Sequence, residues 1–118
     1  MLTLPSSVRV YLALDPVSMH LSFARLAGLV LGLGLDPTEG HLFAFVNRPK
    51  THLRVLFFDR AGFCQLYKRL EQGTFQLPEL GPQGAPRCEL TPNELGLILE
   101  GVDLRQRARR ARLGRPKG

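Results

Sequence analysis

The stretch HLFAFVNRPKTHLRVLFFDRAGFCQLYKRLEQGTFQL, residues 41–77, decides the fold. Apolar residues alternate in several runs along it, which is the period of a β-strand. They occupy both parities, so both faces of the resulting sheet are partly apolar. We expect helices to cover one face and the second face to be partly covered or available to a partner. Turn-forming residues at Asp59–Gly62 and Glu71–Thr74 separate the runs. We therefore predict a meander of three antiparallel strands, followed by a short fourth strand through Phe75 and Leu77.

The residues of the turns predict two further details. Gly62 ends its turn at the position where a type I turn followed by a left-handed residue favours glycine. Pro49 lies in the connection Asn47–Thr51 and has no backbone N–H. We expect this proline to lie outside the hydrogen-bonded ladder.

The residues before the meander predict a strand and a helix. Alternation over residues 7–14 indicates a strand with one buried face. Ser18 is placed to cap a helix that runs through about Leu33, with apolar residues at helical spacing. Gly28, Gly32 and Gly34 weaken this helix, and we attribute them to close packing on the sheet and a glycine-assisted stop.

The residues after the meander predict a loop and a second helix. Residues 79–89 are rich in glycine and proline and indicate a loop. Thr91, Pro92 and Glu94 then form a capping box for a short helix, and Gly101 is placed to end it. The predicted fold class is α+β, a mainly antiparallel β-meander sheet of about five strands with two packed helices.

Charge divides the chain into two parts. The net charge is +6, but residues 105–118 hold seven basic residues and no acidic one. The other 104 residues hold nine basic residues against ten acidic ones, so the high isoelectric point comes from the end of the chain. We predict a single α+β domain over residues 1–104 and a basic, disordered arm over residues 105–118.

Composition sets the broad class of protein. An apolar content of 44% and a charged content of 22% are typical of a globular domain. Two cysteines are too few for a disulfide framework, and the amino terminus lacks a secretory signal pattern. The most apolar segment, residues 26–35, is about half of the roughly 20 residues that a membrane-spanning helix needs. We expect a cytoplasmic protein without membrane contact.

The sequence contains no evident catalytic constellation. Its acidic residues are spread thinly, and none pairs with a neighbouring base at a spacing that favours acid–base catalysis. Asp15 and Asp59 end predicted strands, where turn and capping roles are the usual ones. We expect no catalytic residue, no metal site and no cofactor. Four further side chains lack the paired spacing of a zinc site: His41, His52, Cys64 and Cys88.

Basic residues are the strongest functional signal. Cations lie on adjacent strands of the meander with Tyr67 and Phe63 among them, as in nucleic-acid-binding proteins. A solvated sheet edge protected by its charges explains the same cations equally well. His20, on the first turn of the predicted helix, is expected to be exposed rather than functional, although a protonated histidine there can contact a phosphate.

The arm gives the clearer part of this signal. Six of its seven cations are arginine, which suits contact with phosphates. The predicted nucleic-acid-binding residues are Arg54, Lys68 and Arg69 in the sheet, and Arg105, Arg107, Arg109, Arg110, Arg112, Arg115 and Lys117 in the arm.

The order of residues resembles a known family. The segments GHLFAFVNRP, LRVLFFDRAGFCQLYKRLEQGTFQLP and LTPNELGLILEGVDL are similar to the TnpB-type accessory protein of the insertion-sequence sixty-six family of bacterial transposons, not to the RNA-guided nuclease of the same label. The resemblance covers nearly all of residues 4–104 and is most specific in YKRLEQGTF and the D-x-x-G-F before it. Where that family opens its first helix with aspartate, methionine and arginine, this sequence has Ser18, Met19 and His20. The resemblance implies an auxiliary role beside a separate transposase that carries the catalytic acids.

We therefore expect a non-enzymatic accessory factor in DNA transposition that binds DNA and assists the transposase of the same element. Sequence-specific readout is not indicated, since no helix-turn-helix or finger motif is present. One alternative is a module that bridges transposase subunits through the apolar sheet face or edge. A second is an RNA-binding module, which requires Tyr67 or Phe63 to be exposed. A nuclease that depends on Asp59 is a third, and association into a homo-oligomer is left open.

Overall fold

The computed structural model describes residues 7–78 and 84–101, which form one five-stranded sheet and two helices. The strands lie in the order β4-β3-β2-β1-β5. The elements in chain order are β1 (Val10–Ala13), α1 (Phe23–Gly32), β2 (Leu42–Val46), β3 (His52–Phe58), β4 (Phe63–Arg69), β5 (Arg87–Leu90) and α2 (Pro92–Glu100). The α+β class with about five strands and two helices is confirmed.

The sheet is mixed, and here the prediction of a mainly antiparallel meander needs correction. Strands β2, β3 and β4 do form an antiparallel meander. However, β1 pairs with β2 in parallel, and β5 pairs with the other edge of β1 in antiparallel fashion. The reason is the connection through α1. This helix carries the chain across one face and returns it to the end at which β1 began, so that β1 and β2 run in the same direction.

The fifth strand is also not the predicted one. Phe75 and Leu77 lie outside the strands, and β5 comes instead from the stretch that was predicted to be a loop. The Phe75 side chain is buried in the core, and its N–H donates to the Lys50 carbonyl at 2.7 Å. The segment thus fills a gap beneath the sheet, while Arg87–Leu90 completes the free edge of β1.

Alternation along the strands divides the buried side chains between two cores, and each helix covers one of them. On the α1 face the core contains Tyr11, Leu26, Ala27, Val30, Phe43, Phe45 and Leu56. On the α2 face it contains Val10, Leu12, Ala44, Val46, Leu53, Val55, Phe75, Leu90, Leu95 and Ile98. The helical cover predicted for one face is confirmed, whereas the second face, predicted to be partly covered or available to a partner, is covered by the other helix.

The start of α1 differs from the prediction. Its N-cap is Ser22, whose side chain accepts a hydrogen bond from the Arg25 N–H at 3.2 Å. The Ser18 hydroxyl accepts from the His20 N–H at 3.1 Å instead, so Ser18 stabilises a turn before the helix. By contrast, α2 has the predicted capping box of Thr91 and Glu94.

The glycines of α1 also need a correction. A Cβ added to Gly28 or Gly32 would meet no atom within 4 Å, so neither glycine packs closely on the sheet. Gly34, just after the helix, has φ +81°, which supports the predicted stop. Gly62 is not among the glycines with positive φ, so the predicted left-handed residue in its turn is wrong.

Two expectations lie outside the residues that the structure describes. The basic arm, residues 105–118, lies outside the described residues, and so does the division of the chain at residue 104. Neither of the two described helices is long and apolar enough to cross a membrane.

Candidate functional site

Arg54 is a buried residue of the sheet and not a surface cation. Its side chain leaves β3 on the α1 face and is 4% exposed. The guanidinium Nε donates to Gln65 Oε1 at 2.6 Å, and Nη1 donates to the carbonyl oxygens of Leu21 and Met19. Arg54 has no ion pair among residues 7–78 and 84–101. The three hydrogen-bond acceptors around its planar guanidinium stabilise the buried charge instead.

Lys68 and Arg69, the other two predicted sheet cations, lie on opposite faces. Lys68 shares the α2 face with Leu53 and donates from Nζ to the Leu99 carbonyl in the last turn of α2. A cation at this end of a helix is favourable because the free carbonyls carry partial negative charge. Arg69 shares the α1 face with His52, is largely exposed, and lies 3.3 Å from a carboxylate oxygen of Glu71.

The three sheet cations therefore do not form one exposed patch. Arg54 and Lys68 bind internal carbonyl groups, and Arg69 alone of the three presents its charge to solvent. The seven predicted residues of the arm lie outside the described part of the chain. Neither finding tests whether these residues contact nucleic acid.

The structure instead brings a different set of polar groups together in an open cleft of about 520 Å³. The cleft lies at the edge where β1 and β2 end, and the β1–α1 connection forms one of its walls. That connection is tied to the sheet because the Val17 N–H donates to the Val46 carbonyl at 3.0 Å. The lining residues are Pro16, Val17, Ser18, Met19, His20, Asn47, Arg48, His52 and Tyr67.

Asn47 orders the loop that carries Arg48. Its Oδ1 accepts from the backbone N–H groups of Thr51 and His52, at 2.9 and 3.0 Å. Its Nδ2 lies 3.0 Å from Thr51 Oγ1 and 3.1 Å from His52 Nδ1. These bonds close the loop against the start of β3 and hold Lys50 in a left-handed conformation with φ 60°. As predicted, Pro49 lies between the strands.

Tyr67 forms the aromatic wall of the cleft. It lies on the edge strand β4 and is 46% exposed, so one condition of the RNA-binding alternative is met. The His52 ring meets the Tyr67 ring edge to face, with centroids 6.0 Å apart. The Arg54 guanidinium carbon lies 5.9 Å from the Tyr67 centroid. Phe63 packs against the α1-face core instead.

The charge of the lining favours an anionic ligand. Arg48 is exposed, and none of the nine lining residues is acidic. His20 adds two ring nitrogens, and His52 adds only Nε2 because its Nδ1 is engaged within the loop. Such a set of groups can bind a phosphate and stack against a planar ring.

Of the candidate catalytic and metal-binding groups, His52 lines this cleft, whereas Asp59 and Cys64 are not among its lining residues. Asp59 Oδ1 accepts from the N–H groups of Ala61 and Gly62, and these bonds lower the pKa of its carboxyl group. Burial raises the pKa of the Cys64 thiol, and its bond to Asp59 adds to this, which disfavours the nucleophilic thiolate. The described residues contain no group of three or more metal-ligating side chains.

The sequence pattern singled out His20 and Tyr67 but did not place them together, and it gave no role to Asn47. The relevant signal was an asparagine at the end of a strand, followed two residues later by proline, which is typical of an ordered turn. The β1–α1 connection lies near β4 because β1 pairs in parallel with β2. The sequence has no local signal for that pairing.

Comparison with known proteins assigns the chain to a family of insertion-sequence proteins. The family is described as IS66 Orf2 like protein and matches residues 8–109. The chain belongs to this family, as the resemblance predicted, and the membership indicates an accessory role associated with transposition. It is also 37% identical over 105 residues to the uncharacterized protein y4hO of Sinorhizobium fredii, which covers 86% of this chain and 89% of that protein. No solved structure matches.

Proposed function

We propose that this protein is a non-enzymatic accessory factor in DNA transposition that binds DNA through its basic arm and assists the transposase of the same element. Family membership supports the link to transposition. The observation that carries DNA binding is the segregation of charge. Seven basic residues lie in residues 105–118 without an acidic one, whereas the remaining chain is nearly neutral. Because duplex DNA is a dense polyanion, it is the natural partner of such a segment.

The sheet cations have unequal parts in this proposal. Arg69 is exposed at the edge strand and supplements the arm. Arg54 and Lys68 are engaged with internal carbonyl groups, so their contribution to DNA binding is through the shape of the domain. The arm thus supplies most of the electrostatic affinity.

The test measures binding to a labelled duplex by fluorescence anisotropy across a salt series. The wild-type chain is compared with a full-length variant in which all seven arm cations are glutamine. Seven neutralised phosphates predict a slope of log K against log salt of up to roughly −6 for the wild type, and a slope near zero for the variant. A matched control replaces the exposed body residues Arg25 and Arg60 by glutamine and is expected to lower the slope far less.

Two results would contradict parts of the proposal. Equal binding by wild type and arm variant would place the DNA site outside the arm. No binding by the wild type at physiological salt would leave the alternative in which the protein only bridges transposase subunits. Retention of the purified transposase of the same element on the immobilised arm variant separates these cases, since the bridging function does not need the arm.

A further inference from the structure

The aromatic and cationic groups of the cleft point to a second nucleic-acid site, separate from the arm. We propose that the cleft binds one unpaired nucleotide of a single strand, with its base stacked on Tyr67 and its phosphate at Arg48. The inference shares the partner class of the proposed function but not its site. The arm contacts phosphates of any duplex, whereas this cleft requires a base that has left the double helix.

The position of Tyr67 supports a stacking contact. Nearly half of this large aromatic side chain is exposed, although it lies on the same sheet face as the buried Phe45 and Leu56. The ring has two neighbours: the His52 ring meets it edge to face with centroids 6.0 Å apart, and the Arg54 guanidinium carbon lies 5.9 Å from its centroid. An exposed aromatic ring next to cations is the usual platform for an unpaired base.

The walls of the cleft are positioned before any ligand arrives. Arg54 binds the carbonyl groups of Met19 and Leu21, which fixes the β1–α1 connection relative to β3. Asn47 fixes the loop that carries Arg48 through two backbone N–H groups. Preorganisation of this kind lowers the entropic cost of binding. Arg54 is accordingly a positioning residue of the site, and it does not touch the nucleotide.

Charge distinguishes this cleft from a second open cavity, which has a similar volume of about 440 Å³. The second cavity, near the start of α2, is lined by Glu89 and Glu94 together with Arg9. There Arg9 pairs with Glu89 at 3.5 Å, and Glu94 belongs to the capping box, so an anion would meet two carboxylates. The cleft at Tyr67 has no acidic lining residue, and its volume of about 520 Å³ is within the usual range for small-molecule sites.

The experiment uses the full-length chain and a labelled deoxythymidine oligonucleotide of about ten residues, with an abasic oligonucleotide of the same length as the second probe. Affinity is measured by anisotropy at one fixed salt concentration, so that the arm contributes equally to every variant. Tyr67→Ala should weaken binding to the thymidine strand between about five-fold and a hundred-fold, since base–aromatic stacking accounts for that range. It should leave binding to the abasic strand unchanged.

Two variants separate stacking from effects on the fold. Tyr67→Phe keeps the ring and should bind within about two-fold of the wild type. Leu66→Ala is the matched control, because Leu66 has the same 46% exposure on the same strand but points to the opposite face. This variant should bind like the wild type. Arg48→Gln should weaken binding to both strands at the fixed salt concentration, and in a separate salt series it should reduce the slope by about 0.7.

Tyrosine fluorescence gives an independent readout, because the chain has two tyrosines and no tryptophan. Tyr11 is 7% exposed and packs against Phe43, so quenching by the thymidine strand, corrected for absorbance, reports on Tyr67. The quenching should disappear in Tyr67→Phe although affinity is retained.

Some results would overturn the inference and leave the arm proposal intact. These are equal affinity of the wild type for the thymidine and abasic strands, or an unchanged affinity of Tyr67→Ala for the thymidine strand. Stronger binding to a uridine ribonucleotide strand of the same length, with the same dependence on Tyr67, would support the site and assign it to RNA. Since the cleft substitutions leave the arm unchanged, the duplex salt slope of the arm variant and the Tyr67-dependent binding of single strands test the two proposals separately.

Discussion

Replacement of Arg54 by alanine tests most directly whether this residue holds the fold together or contacts DNA. The substitution removes the donors to Gln65, Leu21 and Met19 from a side chain that is 4% exposed. Gln65 is exposed and regains water, but the two carbonyl groups lose a charged donor. A buried polar group left without its partner costs about 1–3 kcal/mol. Because the Met19 bond is long, at 3.4 Å, we expect a total loss of about 2–4 kcal/mol.

Urea unfolding followed by circular dichroism measures this loss. With a slope of about 2 kcal/mol per molar urea, the midpoint should fall by about 1–2 M while the slope stays constant. Gln65→Ala is the matched control, since it removes one of the same hydrogen bonds from the exposed side and should cost about 0.5–1.5 kcal/mol. At a temperature where Arg54→Ala is still folded, its affinity for duplex DNA should remain within about two-fold of the wild type.

The opposite pair of results would refute this reasoning. If Arg54→Ala unfolds at the wild-type urea concentration but loses duplex binding, the guanidinium is a DNA contact, as the sequence suggested. Arg54→Lys helps to separate the cases. A lysine supplies the charge but not the planar set of donors, so it should restore DNA affinity if charge matters and only a small part of the stability if geometry matters.

Two further predictions concern the helices. In thermal melts, Gly28→Ala should stabilise the protein by about 1 kcal/mol, because alanine is the better helix former and its Cβ meets no atom within 4 Å. Gly101→Ala should destabilise it by about 1–2 kcal/mol in the same melts, because Gly101 has φ +83°. Thr91→Ala should cost about 1 kcal/mol of stability, because the hydrogen bond from the Glu94 N–H is lost. Thr91→Ser should retain most of that stability. Equal melting temperatures for the two variants would contradict the role of the capping box.

The elements that the sequence predicts well are those whose signals are local. The meander of β2, β3 and β4 follows from alternation and from short connections, which leave antiparallel pairing as the only simple arrangement. The capping box of α2 needs only four consecutive residues. In both cases the interacting residues are near each other in the chain, so a local sequence pattern is enough to predict the interaction.

The elements that it predicts poorly depend on distant partners. The strand β5 has four residues, and its order in the sheet comes from pairing with β1, more than 70 residues earlier. The parallel pairing of β1 and β2 likewise depends on how α1 packs. Ser18 and Ser22 are both suitable N-caps, and the choice between them is made by the tertiary contacts of the connection. None of these partners can be identified from a local pattern.

Arg54 shows a third kind of difficulty. The alternation along β3 indicates a buried position, but the charge of the side chain favours an exposed one. Its parity in β3 is that of Leu56, and both side chains point to the α1 face. Alternation alone would have placed it inside, beside Phe45. The charge of the side chain, among other cations on adjacent strands, predicted a nucleic-acid contact instead. The correct inference required acceptors, and these come from the β1–α1 connection, some 30 residues away.

The burial of Arg54 has a consequence for where a binding site can lie. A well-packed apolar side chain of similar volume often gives equal or greater stability than a buried charge, so stability alone does not require arginine here. The guanidinium fixes the position of the β1–α1 connection relative to the sheet. It joins the connection at Met19 and Leu21 to the strand that faces Tyr67, and these elements are the walls of the cleft. The geometry of the cleft is therefore set by the core. Arg54→Met fills much of the same volume but donates no hydrogen bond to the connection, so in the anisotropy assay it should weaken the Tyr67-dependent binding of single strands.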